Sequence, residues 1–167
     1  MQVIIKPWEN EDVKPLVNIA NNIKIWNNLR DYFPHPYTIG DATKWINAQG
    51  KIIPSQDMAI RMEDILVGGV GIMMLSDVNR RSVEIGYFVG ERYWNKGIAS
   101  EAVRQMTTYV FANFDIVRIF AVVFQKNKKS MKVLENAGYE LEAIHKKAVF
   151  KNGEIMDEYV YTKFRDN

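Results

Sequence analysis

Within the stretch EIGYFVGERYWNKGIASEA, Glu84 to Ala102, two features have residue types that could do chemistry together. One is Glu84, a carboxylate on a short apolar strand, Val83 to Val89, able to take a proton. The other is a turn of small residues, Gly97, Ala99 and Ser100 around Ile98, at the mouth of an amphipathic helix. The first N–H groups of a helix have no partner inside it and carry partial positive charge, so a phosphate set there is held without lysines. Small side chains let such an anion reach the main chain. Gly86, inside the strand, marks a bulge or a close approach of a ligand to the backbone. Strand, turn and helix mouth together predict an anion site.

The elements that would position these groups follow from periodicity and punctuation. Val3, Ile4 and Ile5 form a first strand that Pro7 ends, and Glu9 to Asp12 then opens a helix whose buried face is Val13, Leu16, Val17 and Ala20. A second helical piece carries Ile25, Trp26 and Leu29, and a third runs from about Asp41 to Gln49 with Gly50 as its stop. Between them Phe33-Pro34-His35-Pro36-Tyr37 is a stiff, aromatic loop. Met58, Ile60 and Met62 alternate with Ala59, Arg61 and Glu63 in strand two. Strand three, Ile65 to Leu75, contains Gly68-Gly69-Val70-Gly71, where another element crosses closely or the backbone simply bends.

From Gly97 the residues Ile98, Ala102, Met106 and Val110 recur at steps of four and define one core face. Val117 to Phe124 is almost wholly apolar and reads as a central strand buried on both faces. Another helix spans Asn127 to Ala137, with Gly138 placed for a left-handed cap. Asn152-Gly153, between two strand-like runs, is a strong hairpin signal, so the sheet ends antiparallel.

Bulk composition narrows the classes. A chain of 167 residues, 47% hydrophobic and 25% charged, is an ordinary globular α/β unit, expected to form a single domain over 1–167. A formal charge of +2 gives no nucleic-acid footprint, and no apolar run is long enough for a membrane span. With no cysteine there is no disulfide, thiolate metal site or cysteine nucleophile, and a cytoplasmic protein is the economical expectation; the N-terminal residues are not those of a signal peptide. Lys96-Gly97 lacks the remaining residues of a nucleotide-binding P-loop, and no cluster of metal ligands is evident.

Trp94-Asn95-Lys96-Gly97-Ile98-Ala99, preceded by Glu84-Ile85-Gly86-Tyr87, resembles the acetyl-CoA signature Q/R-x-x-G-x-G/A of the GNAT-superfamily N-acetyltransferases. Asn127 and Ser130 ahead of Gly138-Tyr139, and Asn152-Gly153 with Asp157 and Tyr161, are similar to further elements of that family. The likeness covers essentially the whole chain and is nearest to the branch of ribosomal-protein N-terminal acetyltransferases. It departs at Trp94, where the wider signature has glutamine or arginine, and at Val149, where some ribosomal-protein members carry a glutamate base.

That resemblance implies an order β-α-α-β-β-β-α-β-α-β-β. The sheet would be mixed but mostly antiparallel, of about seven strands, splayed between the fourth and fifth, with helices on both faces. Main-chain groups of Tyr87, Phe88 and Val89 would line the pantetheine arm of acetyl-CoA, Asn95 to Ser100 would hold its diphosphate, and Asn127 would touch it from the opposite strand. The activity implied is acetyl transfer to a primary amine of a small molecule or a protein N-terminus, without metal, nucleic acid or membrane; a homodimer is left open. Glu84 is then the base, or else a strand glutamate paired with Arg80 or Arg81. Ser130 is the acid that protonates the thiolate, or a first-turn serine bonded to its own backbone, with Asn127 an N-cap. Tyr139, Tyr159 and Tyr161 are alternative acids. Phe33, His35 and Tyr37 are assigned to the acceptor, and His145 to an exposed strand. Lys126, Lys128, Lys129 and Lys132 are a solvated helix face or charge for the cofactor's 3'-phosphate. The competing reading is a non-catalytic acyl-CoA-binding sensor or partner module.

Overall fold

The computed structural model describes residues 2–166. β1 (Val3–Pro7) is followed by a single 3-10 turn, Asn10–Asp12, and then by α1 (Val13–Ala20), α2 (Ile23–Trp26) and α3 (Ile39–Gln49). Three antiparallel strands come next: β2 (Asp57–Met62), β3 (Ile65–Met74) and β4 (Ser82–Val89). α4 (Ile98–Asn113), β5 (Arg118–Phe124), α5 (Lys128–Asn136), β6 (Glu140–Lys151) and β7 (Glu154–Phe164) complete the chain. All seven strands form one sheet in the order β1-β2-β3-β4-β5-β7-β6.

Sequence punctuation explains most boundaries. Thr38 accepts from the Asp41 N–H while Asp41 reaches back to Thr38, a reciprocal cap that starts α3 two residues ahead of the expected Asp41. Gly138 (φ 83°) closes α5, and Asn152 and Gly153, both at positive φ, make the hairpin between β6 and β7. Gly50 ends α3 in ordinary right-handed geometry, so its conformational freedom is not what stops the helix. Where a helix was expected to open at Glu9 to Asp12, Asn10–Asp12 is a 3-10 turn capped by Glu9 and α1 starts at Val13; Asp12 is buried in an ion pair with Arg61 of β2 at 2.6 Å.

Two cores sandwich the sheet. On one face α4 and α5 bury Ile98, Val103, Met106 and Leu134 against Val83, Ile85 and Ile119. Opposite, Leu16 and Ile19 of α1 and Ala42 and Ile46 of α3 pack with Trp8, Tyr37 and Ala59. With helices on both sides, Met58 through Arg61 of β2 are all buried, where simple alternation predicts one solvent face. β5 departs the other way: Ile119, Ala121 and Val123 are buried, but Phe120, Val122 and Phe124 keep partial exposure. Full burial on both faces was expected there; the core under α1–α3 includes no residue of this strand, and Phe124 lines a cavity instead. The glycine run of β3 is explained by close crossing. A Cβ on Gly68 would strike the Phe88 carbonyl, one on Gly69 the Trp8 and Phe88 rings, and one on Gly71 the Asp57 carboxylate.

Candidate active site

Among the described residues β4 and β5 are the only parallel neighbours in the sheet, and they pair through just Ser82, Val83 and Glu84 with Arg118, Ile119 and Phe120. Beyond Glu84, β4 stays hydrogen-bonded to β3 through Val89, while β5, paired with β7 from Arg118 to Phe124, has no further partner in β4. The main chain of Ile85 to Val89 on its β5 side is therefore unpaired in the sheet, the splay expected between the fourth and fifth strands. Backbone amides facing such a gap need a partner, and an extended amide-bearing ligand supplies one.

At the top of the gap lies the small-residue turn. Asn95 (φ 59°) and Gly97 (φ 75°) both adopt left-handed geometry, and Gly97 is the N-cap of α4. The first helical bond runs from the Glu101 N–H to the Gly97 carbonyl, leaving the N–H groups of Ile98, Ala99 and Ser100 at the open end. A Cβ at Gly97 would meet nothing within 4 Å, so the space outside the turn is free. The side chains of Ile98 and Ser100 are buried, hence any hold these residues have on an anion is through their main chain. Trp94 donates its indole N–H to the Val89 carbonyl at 2.6 Å and pins the turn to the end of β4. That bond gives a physical role to the aromatic residue that replaces glutamine or arginine in the signature.

Across the gap Asn127 caps α5, accepting from the Ser130 N–H at 3.2 Å. Ser130 Oγ lies 2.7 Å from the Tyr87 hydroxyl, so β4 and α5 are joined by a pair of hydroxyls. Burial pushes the Tyr87 phenol well above its usual range, against the favourable bond to Ser130, and keeps it neutral. Tyr139 is committed elsewhere, its hydroxyl 2.7 Å from Thr107 in the core and its pKa raised by burial to about 12; Tyr161 donates to Glu135. Of the basic cluster, Lys129 sits over the Trp94 ring and Lys128 over Tyr159, both at 5.0 Å, while Lys126 pairs with Glu154 and Lys132 with Glu135. The four lysines thus divide, and two of them lean on rings beside the gap.

The unbroken register of β4 against β3 puts Glu84, Gly86 and Phe88 on the α1–α3 face, as alternation predicts. Glu84 pairs with Arg30, at 2.5 Å, instead of Arg80 or Arg81; Arg81 pairs with Asp115. Arg30 follows α2 in the chain and was not legible as a site residue, since nothing local in the sequence points it at β4. Burial opposes its charge, but the bond and charge of Glu84, with lesser help from Tyr32 and Glu158, hold its pKa above the usual value. Glu158, on β7, is also bound to His145 at 2.8 Å; strand parity from the buried Met156 and Val160 would have revealed its face. Val149 lies opposite Met156 in the β6–β7 pair.

The aromatic loop closes this face. Phe33 meets Phe88 edge-on at 5.7 Å and Tyr37 at 5.2 Å, and His35 stacks on Trp26. Tyr37 is 5% exposed and belongs to the core, whereas Phe33 and His35 keep exposed surface. Lys151, itself buried, sits over the Trp26 ring at 3.3 Å and pairs with Asp31, tying the hairpin tip to the loop. A cavity of about 250 Å³ is lined here by Asn27, Asn28, Phe124, Lys151 and Met156 among others. Among the described residues no cluster of His, Asp and Glu could hold a metal ion.

A sheet that opens between two parallel strands, with a free helix N-terminus at the head of the opening, defines the class of α/β proteins that seat an extended phosphate-bearing ligand at a strand break. The chain belongs to the acetyltransferase (GNAT) domain family, whose model matches residues 2–140. It is similar to the uncharacterised N-acetyltransferase YnaD of Bacillus subtilis, 28% identical over 96% of this chain and 92% of that one. YoaA of the same organism, also an uncharacterised N-acetyltransferase, is 34% identical over 58% of this chain, a match spanning 54% of YoaA. The solved structure of RimL, a ribosomal alpha-N-protein acetyltransferase in complex with coenzyme A, superposes with a TM-score of 0.85 over 98% of this chain and 94% of that one; at 18% identity this speaks to the fold.

Proposed function

We propose that the chain, as one domain, transfers an acetyl group from acetyl-CoA to a primary amine and works in the cytoplasm. The observation that carries this reading is the gap between β4 and β5 headed by the Gly97 turn, in a chain of the GNAT family. The unpaired strand edge at Tyr87, Phe88 and Val89 suits the pantetheine arm, the amides from Asn95 to Ser100 suit the diphosphate, and Asn127 stands on the far side. Full-length relatives named as acetyltransferases of L-amino acids, ribosomal-protein serine and spermidine, at 23% to 25% identity, support a free amine as acceptor and a protein N-terminus or small amine as its form.

In this reading the neutral amine attacks the thioester carbonyl, a C–N bond forms, the C–S bond breaks, and the thiolate leaves with a proton. A main-chain N–H of Tyr87 or Phe88 stabilises the oxyanion, an effect of about 2.7–4 kcal/mol per donor. Ser130, bonded to the Tyr87 hydroxyl, supplies the proton to the thiolate. Glu84 meets the reacting amine at the edge of the gap, with Arg30 as its partner until the amine arrives. Phe33 and His35 contact the acceptor from the loop.

Calorimetry with acetyl-CoA, followed by turnover of spermidine, L-amino acids and peptides with a free N-terminus, tests the reading. Tight binding with no turnover of any amine would instead identify an acyl-CoA sensor, and absent binding would remove both.

A further inference from the structure

One carboxylate on the acceptor face has no part in the reaction so far. Asp57 opens β2, and in the sheet register it stands opposite Gly71 of β3, which stands opposite Gly86 of β4. Its Oδ2 occupies the place where a side chain on Gly71 would be, so the carboxylate reaches across β3 toward β4. Only glycine at position 71 permits this. Beside it, Gly86 is exposed and a Cβ there would meet nothing within 4 Å, so an open slot stands over that residue. Glu84 and Phe88 flank the slot on the same face of β4, and Phe33 closes over Phe88. Asp57 is held from the other side: the Trp8 indole N–H donates to Oδ1 at 2.6 Å.

We propose that Asp57 is the terminal acceptor of the proton that leaves the acceptor amine, reached through the slot over Gly86. The assignment rests on the acetyl-transfer reading above. Glu84, released from Arg30 as the amine arrives, orients it at the gap; the ammonium N–H bond breaks, water in the open slot relays the proton to the Asp57 carboxylate, where an O–H bond forms, and the neutral amine is left to attack.

The surroundings suit the task. Burial pushes the Asp57 carboxyl up to about 7, against the Trp8 and Trp45 indoles, which favour its ionised form, so it is poised to exchange a proton near neutral pH. The titratable group facing it from the loop before α3 is Tyr37, raised to about 12 by burial and, less, by the charges of Asp41 and Asp57, and therefore neutral throughout that range. Trp45 comes from α3, Gly71 offers no side chain from β3, and the charged residue of β4 on this face is Glu84, paired with Arg30 from the loop after α2.

The test compares Asp57→Asn, Gly86→Val and Glu84→Gln with the parent protein, using acetyl-CoA and whichever of spermidine, an L-amino acid or a free-N-terminal peptide the parent turns over best. Asparagine still accepts from Trp8, and valine enters open space at ordinary backbone angles; circular dichroism and thermal melts establish that each variant keeps the fold. Asp57→Asn is expected to lower kcat/KM by about 10²-fold or more, leave acetyl-CoA affinity by calorimetry unchanged, and abolish the rise of kcat/KM with pH near 7. Gly86→Val gives a similar loss of kcat/KM with acetyl-CoA affinity intact, whereas Glu84→Gln loses rate but keeps the pH limb. If Asp57→Asn retains that limb, or Gly86→Val matches the parent, Asp57 is not the proton acceptor and the acetyl-transfer reading stands. If the parent binds acetyl-CoA but acetylates none of these amines, the reading falls and takes the assignment with it.

Discussion

Gly97 is where the anion site depends on a single torsion. At φ 75° it caps α4 in a conformation that L side chains adopt only under strain, and it keeps the open end of the helix uncovered. Gly97→Glu adds strain, bulk and negative charge at that end, and calorimetry is expected to detect no acetyl-CoA binding; wild-type affinity would place the cofactor elsewhere. Glu84→Gln keeps the size of the side chain but weakens its hold on Arg30 and on the amine. It is expected to lower kcat by about 10²-fold with acetyl-CoA affinity unchanged, the scale of loss that misplacing a reacting group brings. A variant with the parent's kcat would remove Glu84 from the chemistry. These two residues were readable because each sits in a local pattern: an alternating strand and a glycine before a small-residue helix start.

At the scale of elements, the acceptor side is assembled from pieces that hold each other by charge. Arg61 of β2 is buried, with Asp12 at 2.6 Å and the more exposed Glu9 at 3.2 Å, and this couples the strand layer to the start of α1. Removing one member of a buried pair strands the other charge, so Asp12→Ala is expected to cost about 3–5 kcal/mol in chemical denaturation. A loss under 1 kcal/mol would show that Glu9 takes over the partnership. Further along, Lys151 over Trp26 and paired with Asp31 joins the β6–β7 hairpin to the loop after α2. Lys151→Ala should raise the KM for the amine while acetyl-CoA affinity is kept, because the loop that carries Arg30 and Phe33 loses its anchor; an unchanged KM would separate the loop from acceptor binding.

For the whole molecule, Asp57 makes stability depend on pH in a sense opposite to most aspartates. Its carboxyl lies near 7 in the folded chain against a usual 3.8. The folded state therefore holds a proton that the unfolded chain has released, and stability falls as pH rises from about 4 to about 7, with the full loss present above that range. Denaturant midpoints for Asp57→Asn should vary less across this interval than those of the parent, and identical slopes would show that other groups set the dependence. The same placement, between α3 and the sheet, underlies the proposed catalytic use of the residue.

What the sequence determined by itself was local. The small-residue turn at Gly97, Ala99 and Ser100, the left-handed cap at Gly138, the Asn152-Gly153 hairpin, the helical spacing of Ile98, Ala102, Met106 and Val110, and strand parity at Glu84 are properties of a few adjacent residues. They were enough for an α/β unit whose sheet ends antiparallel, with an anion site between a strand and the following helix; the mixed, splayed sheet came from the family resemblance. The tertiary structure decided the partners: Arg30 for Glu84, Tyr87 for Ser130, and Asp57 reaching over Gly71 toward Gly86. Arg30 and Glu84 are 54 positions apart in the chain, and their meeting depends on how helices α1–α3 dock on the sheet. Backbone torsions and side-chain periodicity are dictated by neighbours in sequence, whereas charge pairing across a cleft is dictated by packing between elements, which no local pattern encodes.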